Sequence, residues 1–451
     1  MTMIEDPTET SPSSPPTSAA GTGPAGEGLQ AIHSGPQRGP TGTVEVELLR
    51  FATAGSVDDG KSTLIGRLLH DSKALFDDVI EALATTTARR GGQGLDLALV
   101  TDGLRAEREQ GITIDVAYRY FSTPARSFII ADTPGHVQYT RNMVTGASTS
   151  DVAVILVDAR HGLREQSHRH TALSALLGIR HLVLAVNKMD LVDWSQERYE
   201  AIRTAFVALA GELGVDSVQA IPLCALDGTN VVERSDVMPW YEGPSLLEHL
   251  ETLPIPSTST TEDALRLPIQ WVVRPDAAAG DDRRWYAGQL ASGSVSVGQH
   301  VVALPTGGTS QIVAIAGDAP AVRVQLADEL DIGRGTMLAA VAAPPLVATE
   351  LTATVAWLGD QPLTAGSRYT VKHLSTVAKA IAGDVRDRLD VNTLEHADAD
   401  SLSSNEIGTV TFVVSAPLAV DAYAVNRRTG SFILIDERTN ATVGAAMIAL
   451  G

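Results

Sequence analysis

Apolar residues recur along this chain in two rhythms, and the first rhythm occupies roughly its first half. Four short, almost continuously apolar runs lie at residues 46–55, 126–132, 152–158 and 181–187. Such runs are typical of strands that are buried on both faces of a sheet. Segments with apolar residues at helical spacing lie at 61–70, 166–178 and 195–214. This alternation predicts an α/β domain, with a parallel-rich sheet and helices on both sides.

The second rhythm begins after about residue 254, where short alternating runs are broken by Gly and Pro. Two such series, at 264–345 and 346–451, predict two small β-barrel domains. The α/β domain is then expected over 44–256. Residues 1–43 are rich in Pro, Ser, Thr and Gly, so we expect a disordered tail there. A targeting peptide is the less favoured alternative, because the tail is poor in Arg.

Charge and cysteine content narrow the function classes. The 451 residues carry 34 Lys and Arg against 54 Asp and Glu, a formal net charge of −20. This balance argues against a nucleic-acid partner, which needs basic surface. The single cysteine, Cys224, excludes an internal disulfide framework and a cysteine-based zinc site. No export signal or long apolar segment is evident, so we expect a cytoplasmic protein without a membrane association.

A phosphate-binding pattern, G-x-x-x-x-G-K-[ST], lies between the first predicted strand and the first predicted helix. It consists of Gly55, Ser56, Val57, Asp58, Asp59, Gly60, Lys61 and Ser62. Its glycines let backbone N–H groups surround phosphates at the start of a helix. Lys61 is expected to reach the β- and γ-phosphates, and the Ser62 hydroxyl to ligate Mg²⁺. A chance glycine turn is the alternative, which the strand–helix context disfavours.

A second motif directly follows the strand at 126–132. It reads Asp132, Thr133, Pro134, Gly135 and His136. A carboxylate at this strand end can hold Mg²⁺ through water, and the Gly135 N–H can bind the γ-phosphate. His136 is predicted near the attacking water rather than as a solvated loop histidine. Thr113 is a candidate Mg²⁺ ligand, although its local sequence fits a strand threonine equally well.

A third motif follows the strand at 181–187 and reads Asn187, Lys188, Met189 and Asp190. The Asp190 carboxylate can accept hydrogen bonds from guanine N1–H and N2–H₂, which adenine lacks, so ATP is rejected. The Asn187 amide can reach the other edge of the base and the neighbouring loop, and the Lys188 stem can pack along the ring. Alone the motif is weak, but as the third in order it identifies a guanine nucleotide, GTP, as the ligand.

Together the motifs resemble those of translation-factor-type GTPases, over residues ~45 to 449. Within that superfamily the sequence most resembles the GTPase subunit of bacterial sulfate adenylyltransferase. The specific wording is "GSVDDGKSTLIGRLLHDSKALFDD", "TDGLRAEREQGITIDVAYRYFST", "ADTPGHVQYTRNMVTGASTSD", "MPWYEGPSLLEHLE" and "GSFILIDERTNATVGAAMI". Elongation factors usually have His at the position of Asp59, and a shorter segment than residues 71–110.

The resemblance implies roles at matching positions. His136 is implied to orient the hydrolytic water, with Val57 and Ile112 as an apolar gate beside it. Cys224, Ala225 and Leu226 stand where a Ser-Ala-Leu loop usually contacts the base. A thiol donates more weakly than a hydroxyl, but the contact there is largely made by the backbone. A small buried residue is the other interpretation of Cys224, and both can hold.

The resemblance also implies a heterodimer. A separate small subunit would bind ATP and sulfate and form adenosine 5′-phosphosulfate and diphosphate, driven by GTP hydrolysis on this chain. The chain has one Walker-type loop and ends after the second predicted barrel, so an adenylylsulfate kinase, if present, is expected on a separate protein. The alternative is an elongation-factor-type GTPase that delivers tRNA, which the net charge and the specific wording disfavour.

Overall fold

The structure is a computed structural model that describes ten stretches of the chain. These are residues 47–75, 77–89, 95, 97–100, 116–133, 140–215, 217–254, 263–274, 283–390 and 393–450. The predicted disordered tail at 1–43 lies outside the described residues, as do Ile112, Thr113, Pro134, Gly135 and His136. Among the described helices, none is both long and apolar enough to cross a membrane.

The first part of the chain alternates between strands and helices, as its apolar runs predict. The strands are β1 (Leu48–Ala54), β2 (Ala117–Ser122), β3 (Ser127–Asp132), β4 (Val152–Asp158), β5 (His181–Asn187) and β6 (Ser217–Pro222). The helices are α1 (Lys61–Asp71), α2 (Asp77–Arg89), α3 (Thr140–Ala147), α4 (Glu165–Leu176), α5 (Gln196–Glu212) and α6 (Leu246–Thr252). Short 3₁₀ helices lie at Leu97–Val100 and Met189–Val192.

These strands form one six-stranded sheet in the order β2-β3-β1-β4-β5-β6. Strands β3, β1, β4, β5 and β6 run parallel, and β4 is buried at every position. The edge strand β2 instead pairs antiparallel with β3. The sequence shows no continuous apolar run at β2, because this edge strand is half-exposed and its residues alternate in burial. The expected parallel-rich sheet is confirmed, with this one antiparallel edge.

The carboxyl ends of the parallel strands lie together along one side of the sheet, which is the edge meant below. Thr53 of β1 lies opposite Asp132 of β3, and Asp158 of β4 lies opposite Asn187 of β5. Parallel strands end at the same edge, so the segments that follow β1, β3, β4 and β5 all start there. A single edge therefore receives all three motifs found in the sequence.

The second part of the chain forms two barrels, as its short runs predict. The first is a closed barrel in the order β10-β11-β8-β7-β12-β9. Its strands are β7 (Arg266–Val273), β8 (Trp285–Gln289), β9 (His300–Leu304), β10 (Gly308–Ala316), β11 (Ala321–Leu326) and β12 (Met337–Ala340). Mainly aliphatic side chains, together with Tyr286, fill its interior, in keeping with the low aromatic content.

The second barrel closes where its first strand pairs with a late one. Its ring is β13 (Leu346–Trp357), β22 (Thr442–Ile448), β21 (Ser431–Asp436), β15 (Arg368–His373), β16 (Thr376–Val385) and β20 (Ile407–Val420), closed by β13 against β20. Shorter strands lie beside the ring: β14 (Leu363–Thr364), β17 (Asp387–Leu389), β18 (His396–Asp398) and β19 (Ser401–Leu402). Two β-barrels after an α/β domain are therefore confirmed.

Candidate nucleotide-binding site

The predicted phosphate loop connects the end of β1 to the start of α1. Its conformation needs glycine at position 60, where φ is 94°, and α1 begins at the next residue. A Cβ at Gly60 would lie 2.4 Å from the Asn187 Nδ2 atom. A side chain there would therefore meet both backbone strain and a clash with the third motif. The glycine allows the phosphate loop and the 187–190 segment to touch.

The Asp59 side chain closes the phosphate loop from within. Its Oδ2 atom accepts a 2.7 Å hydrogen bond from the Ser56 N–H, and its own N–H donates to the Ser56 carbonyl at 3.2 Å. Asp59 is 3% exposed, and this burial raises the pKa of its carboxyl group. The carboxylate is therefore part of the loop's internal framework.

Lys61 and Asp132 lie close enough to influence each other's charge. The Lys61 Nζ donates to the Gly55 carbonyl at 3.3 Å. Burial lowers the pKa of Lys61, and the negative charge of Asp132 acts in the opposite direction. Asp132 is 1% exposed, and the neighbouring Thr133 hydroxyl donates to the Thr53 carbonyl at 2.6 Å. The start of the second motif is thus held beside the phosphate loop, where the buried Lys61 and the buried Asp132 lie close to each other.

Asn187 connects three segments of the site. Its Nδ2 donates to the Asp59 carbonyl at 2.7 Å, and its Oδ1 accepts from the Ala225 N–H at 2.9 Å. The side chain is almost fully buried. One amide therefore fixes the distance between the phosphate loop and the loop that begins at Cys224. The sequence predicts that the Asn187 amide reaches both the base and a neighbouring loop; the structure shows the contacts with the loops, and the contact with the base stays a prediction.

Lys188 forms a second connection to the phosphate loop. Its backbone is left-handed, with φ at 63°. Its Nζ donates to the Asp58 carbonyl and lies 3.1 Å from the Asp158 Oδ2 atom. The lysine side chain therefore runs from the 187–190 segment to the phosphate loop, and its packing along a base stays a prediction.

The Asp190 carboxylate is poised to accept hydrogen bonds. Its Oδ1 atom is buried and accepts no hydrogen bond from the described residues. Met189, just before it, is fully buried and its N–H donates to the Leu223 carbonyl at 3.3 Å, which anchors the turn. A buried carboxylate oxygen without a donor is costly unless a ligand supplies one. Guanine, with its N1–H and N2–H₂ groups, supplies two.

The loop of Cys224, Ala225 and Leu226 lies against the same segment. Cys224 is 2% exposed. Burial, supported by the neighbouring Asp190 side chain, raises the pKa of its thiol to about 12. The Leu226 side chain is 71% exposed. The Arg67 guanidinium of α1 donates to the carbonyls of Ala225, at 3.4 Å, and Leu226. The cysteine is thus a buried thiol that stays protonated at neutral pH, beside the Asp190 carboxylate.

The structure describes only some of the residues predicted for the apolar gate, the water-orienting position and the Mg²⁺ site. Val57 is 38% exposed on the phosphate loop, whereas its proposed gate partner Ile112 lies outside the described residues. Thr113 and His136 lie outside them as well. Ser62 follows Lys61 in the first turn of α1 and is partly exposed. The Ser62 hydroxyl and the Asp132 carboxylate are the oxygen donors that Mg²⁺ prefers, so the described part of the predicted metal site fits that ion.

Sequence reasoning missed two residues that support the site, Arg67 and Asp158. Arg67 has a local partner, Asp71, but nothing in the local sequence points to its contacts with the site, which are backbone carbonyls about 160 positions away. Asp158 did carry a local signal: it is the last residue of a predicted strand, the position that Asp132 and Asn187 occupy on two other strands of the same sheet. An ionisable residue at that edge of a parallel sheet is a candidate for the site.

Two family models match parts of the chain. The family model of the elongation factor Tu GTP binding domain matches residues 46–256. The model of the GTP-eEF1A C-terminal domain-like family matches residues 350–449. A solved structure of sup35 complexed with GDP aligns over 90% of this chain and 94% of its own, at 23% identity. Its TM-score is 0.39, too low to carry further argument.

Two kinds of curated relative are much more similar in sequence. The chain is 49% identical over 412 residues to sulfate adenylyltransferase subunit 1 of Teredinibacter turnerae, covering 89% of this chain and 87% of the relative. It is 56% identical over 413 residues to the bifunctional enzyme CysN/CysC of Mycobacterium tuberculosis, covering 89% of this chain. The match spans 67% of that bifunctional relative, about two thirds of its length.

Proposed function

Because the chain belongs to the sulfate adenylyltransferase subunit 1 family, we propose that it is the GTP-hydrolysing subunit of such an enzyme. The proposed reaction converts sulfate and ATP into adenosine 5′-phosphosulfate and diphosphate on a partner small subunit. Hydrolysis of GTP on this chain supplies the free energy. The proposed location is the cytoplasm.

The observation that carries the proposal is the arrangement of the 187–190 segment, which is proposed to bind guanine. Asp190 offers a buried carboxylate oxygen that accepts no hydrogen bond from the described residues. It follows Asn187 and Lys188, whose side chains both bond to the phosphate loop. A ligand that satisfies both ends needs a donor for the Asp190 carboxylate and a phosphate chain. A guanine nucleotide has both.

The chain's own residues then divide the work of hydrolysis. The phosphate loop binds the β- and γ-phosphates through backbone N–H groups and Lys61. Ser62, Asp132 and Thr113 would hold Mg²⁺, which neutralises developing negative charge when bound. His136 orients the attacking water, and Val57 with Ile112 screens it.

Sulfate activation itself is assigned to another chain. Only one phosphate-loop pattern occurs in this sequence, and the proposal reserves it for GTP. The ATP and sulfate sites therefore belong to the small subunit. An adenylylsulfate kinase, where one takes part, is a further partner.

The experiment is co-purification followed by a turnover assay. This chain is co-expressed with an ATP-pyrophosphatase-like small subunit, and GTP hydrolysis is measured with and without ATP plus sulfate. We expect a stable complex in which the two substrates stimulate GTP turnover. The matched control is Lys61→Ala, which should assemble with the partner but lose GTP turnover. Unchanged turnover in that variant would refute the phosphate-loop assignment.

The tRNA-delivering alternative is distinguished by a second measurement. The GTP-bound chain is passed over immobilised aminoacylated tRNA. Retention that depends on GTP would support the elongation-factor alternative and sink the sulfate-activation proposal. We expect none, because the chain carries a formal net charge of −20 and tRNA is a polyanion.

A further inference from the structure

A buried carboxylate outside the three motifs lies at the same edge of the sheet. Asp158 is the last residue of β4, opposite Asn187 of β5 in the strand register. It is only 3% exposed. A buried carboxylate has to be paired, so its partners indicate its purpose.

Asp158 has two cationic partners of different kinds. Its Oδ2 atom lies 3.1 Å from the Lys188 Nζ and 2.7 Å from the Arg160 Nη2. Its Oδ1 atom accepts from the Arg160 Nε at 3.1 Å and from the Arg160 backbone N–H at 2.9 Å. Burial alone would raise the pKa of Asp158, but the hydrogen bonds from Arg160 and Lys188 hold it below its usual range. The carboxylate is therefore charged at neutral pH.

The two cations differ in their other hydrogen-bond partners. The Arg160 side chain is 43% exposed, and its guanidinium bonds are to Asp158 alone among the described residues. The Lys188 side chain is 23% exposed, and its ammonium group donates to the Asp58 carbonyl of the phosphate loop. A continuous path of contacts thus runs from Asp158 through Lys188 to Asp58. It lies beside the path from Asn187 to the Asp59 carbonyl.

A lysine needs this kind of anchor to stay in one place. Its ammonium group sits on a stem of four carbons with many rotamers, and fixing those rotamers costs entropy. An ion pair with a buried carboxylate offsets that cost before any nucleotide binds. The pair also leaves the stem of Lys188 extended between the base-reading segment and the phosphate loop.

We propose that Asp158 is a positioning residue for guanine-nucleotide binding, which holds the Lys188 ammonium on the phosphate loop so that the lysine stem is preorganised to receive the base. This inference rests on the proposed GTP-binding function. Asp158 acts through Lys188 and touches no nucleotide itself. The competing explanation is that Asp158 only stabilises the turn after β4 through Arg160.

The test compares nucleotide affinities in a set of full-length variants. Asp158→Asn keeps the shape of the side chain and an oxygen that can accept from the Arg160 N–H, but removes the charge. We expect its Kd for both GDP and GTP, measured by calorimetry, to rise about tenfold, the scale of one charge-assisted hydrogen bond. Because chemistry is not involved, kcat at saturating GTP should stay unchanged. The matched control, Arg160→Gln, removes the other cation and should change Kd less than about twofold.

A double-mutant cycle identifies the route of the effect. In a Lys188→Met background, adding Asp158→Asn should weaken GDP and GTP binding no further. An equal loss in both backgrounds would overturn the inference, because Asp158 would then act elsewhere. Wild-type affinity in Asp158→Asn would overturn it too. If that variant does not fold, as judged by circular dichroism, Asp158→Ser repeats the test. Failure of the unaltered chain to bind GTP would refute the proposed function as well.

Discussion

Replacing Asn187 by Ala tests whether the site is assembled by one buried amide. The side chain makes two hydrogen bonds to backbone groups, at 2.7 Å to the Asp59 carbonyl and at 2.9 Å from the Ala225 N–H. Asp59 and Ala225 are 3% and 1% exposed, so water does not readily replace the lost partner. A buried polar group left unsatisfied costs about 1–3 kcal/mol. The two together predict a loss of roughly 2–6 kcal/mol in the free energy of unfolding.

Part of that loss should appear as weaker nucleotide binding, because one of the two bonds fixes the phosphate loop. We expect a Kd for GTP about tenfold higher, which corresponds to ~1.4 kcal/mol. Urea unfolding without nucleotide measures the stability, and calorimetry measures the affinity of the folded variant.

A second buried asparagine provides the control for this prediction. Asn230 is fully buried and also makes two bonds to backbone groups, to the Pro222 carbonyl and from the Ser235 N–H. It makes none to the phosphate loop. Because Asn230 has a left-handed backbone, which Ala tolerates less well, Asn230→Ala should lose at least as much stability but little GTP affinity. The reasoning is refuted if the two variants lose affinity equally, or if Asn187→Ala binds GTP as tightly as the unaltered chain.

Three further outcomes are expected. Asp190→Asn should make the chain prefer XTP to GTP, since an amide N–H can donate to the second carbonyl of xanthine. A competition assay in which GTP still binds more tightly contradicts the guanine assignment. His136→Ala should keep its GTP affinity but lose about 2 kcal/mol or more of transition-state stabilisation, read as kcat, and an unchanged kcat argues against the water-orienting role. Burial lowers the pKa of His170 to about 3, so the unfolded chain takes up a proton first as the pH falls below ~6.5. Stability should therefore decline from pH 6.5 towards pH 3 by at most roughly 1.4 kcal/mol per pH unit, and His170→Asn should decline less steeply in urea titrations; parallel curves would contradict this.

The central strands could be predicted from the sequence because burial on both faces leaves an unbroken apolar signature. The run at 181–187 and the strand His181–Asn187 coincide, as do the run at 152–158 and Val152–Asp158. The edge strand Ala117–Ser122 could not be found in this way, because its exposed face carries polar residues and Tyr118 and Tyr120 are exposed. Edge position, and not strand propensity, explains the miss.

The motifs of the site could be predicted because each is a short run at a strand end. Their mutual contacts could not, because these join residues that are far apart in the chain. Asn187 and Asp59 are 128 positions apart, and Arg67 and Leu226 are 159 apart. Predicting such pairs needs the strand order, in which β1 and β5 flank β4. Once that order is known, the last residue of β4, Asp158, becomes an obvious candidate.

The contacts also explain why the base-reading and phosphate-binding motifs are better interpreted as one unit. The peptide between Asp59 and Gly60 has its carbonyl oxygen fixed by Asn187. Because a trans peptide is planar, its N–H must point away from Asn187. That N–H belongs to the residue before α1, where helix N-termini attract anions. Asn187, which belongs to the motif predicted to bind the base, thus orients an N–H donor for a phosphate. A change at Asn187 should therefore weaken phosphate binding even where the base is still recognised.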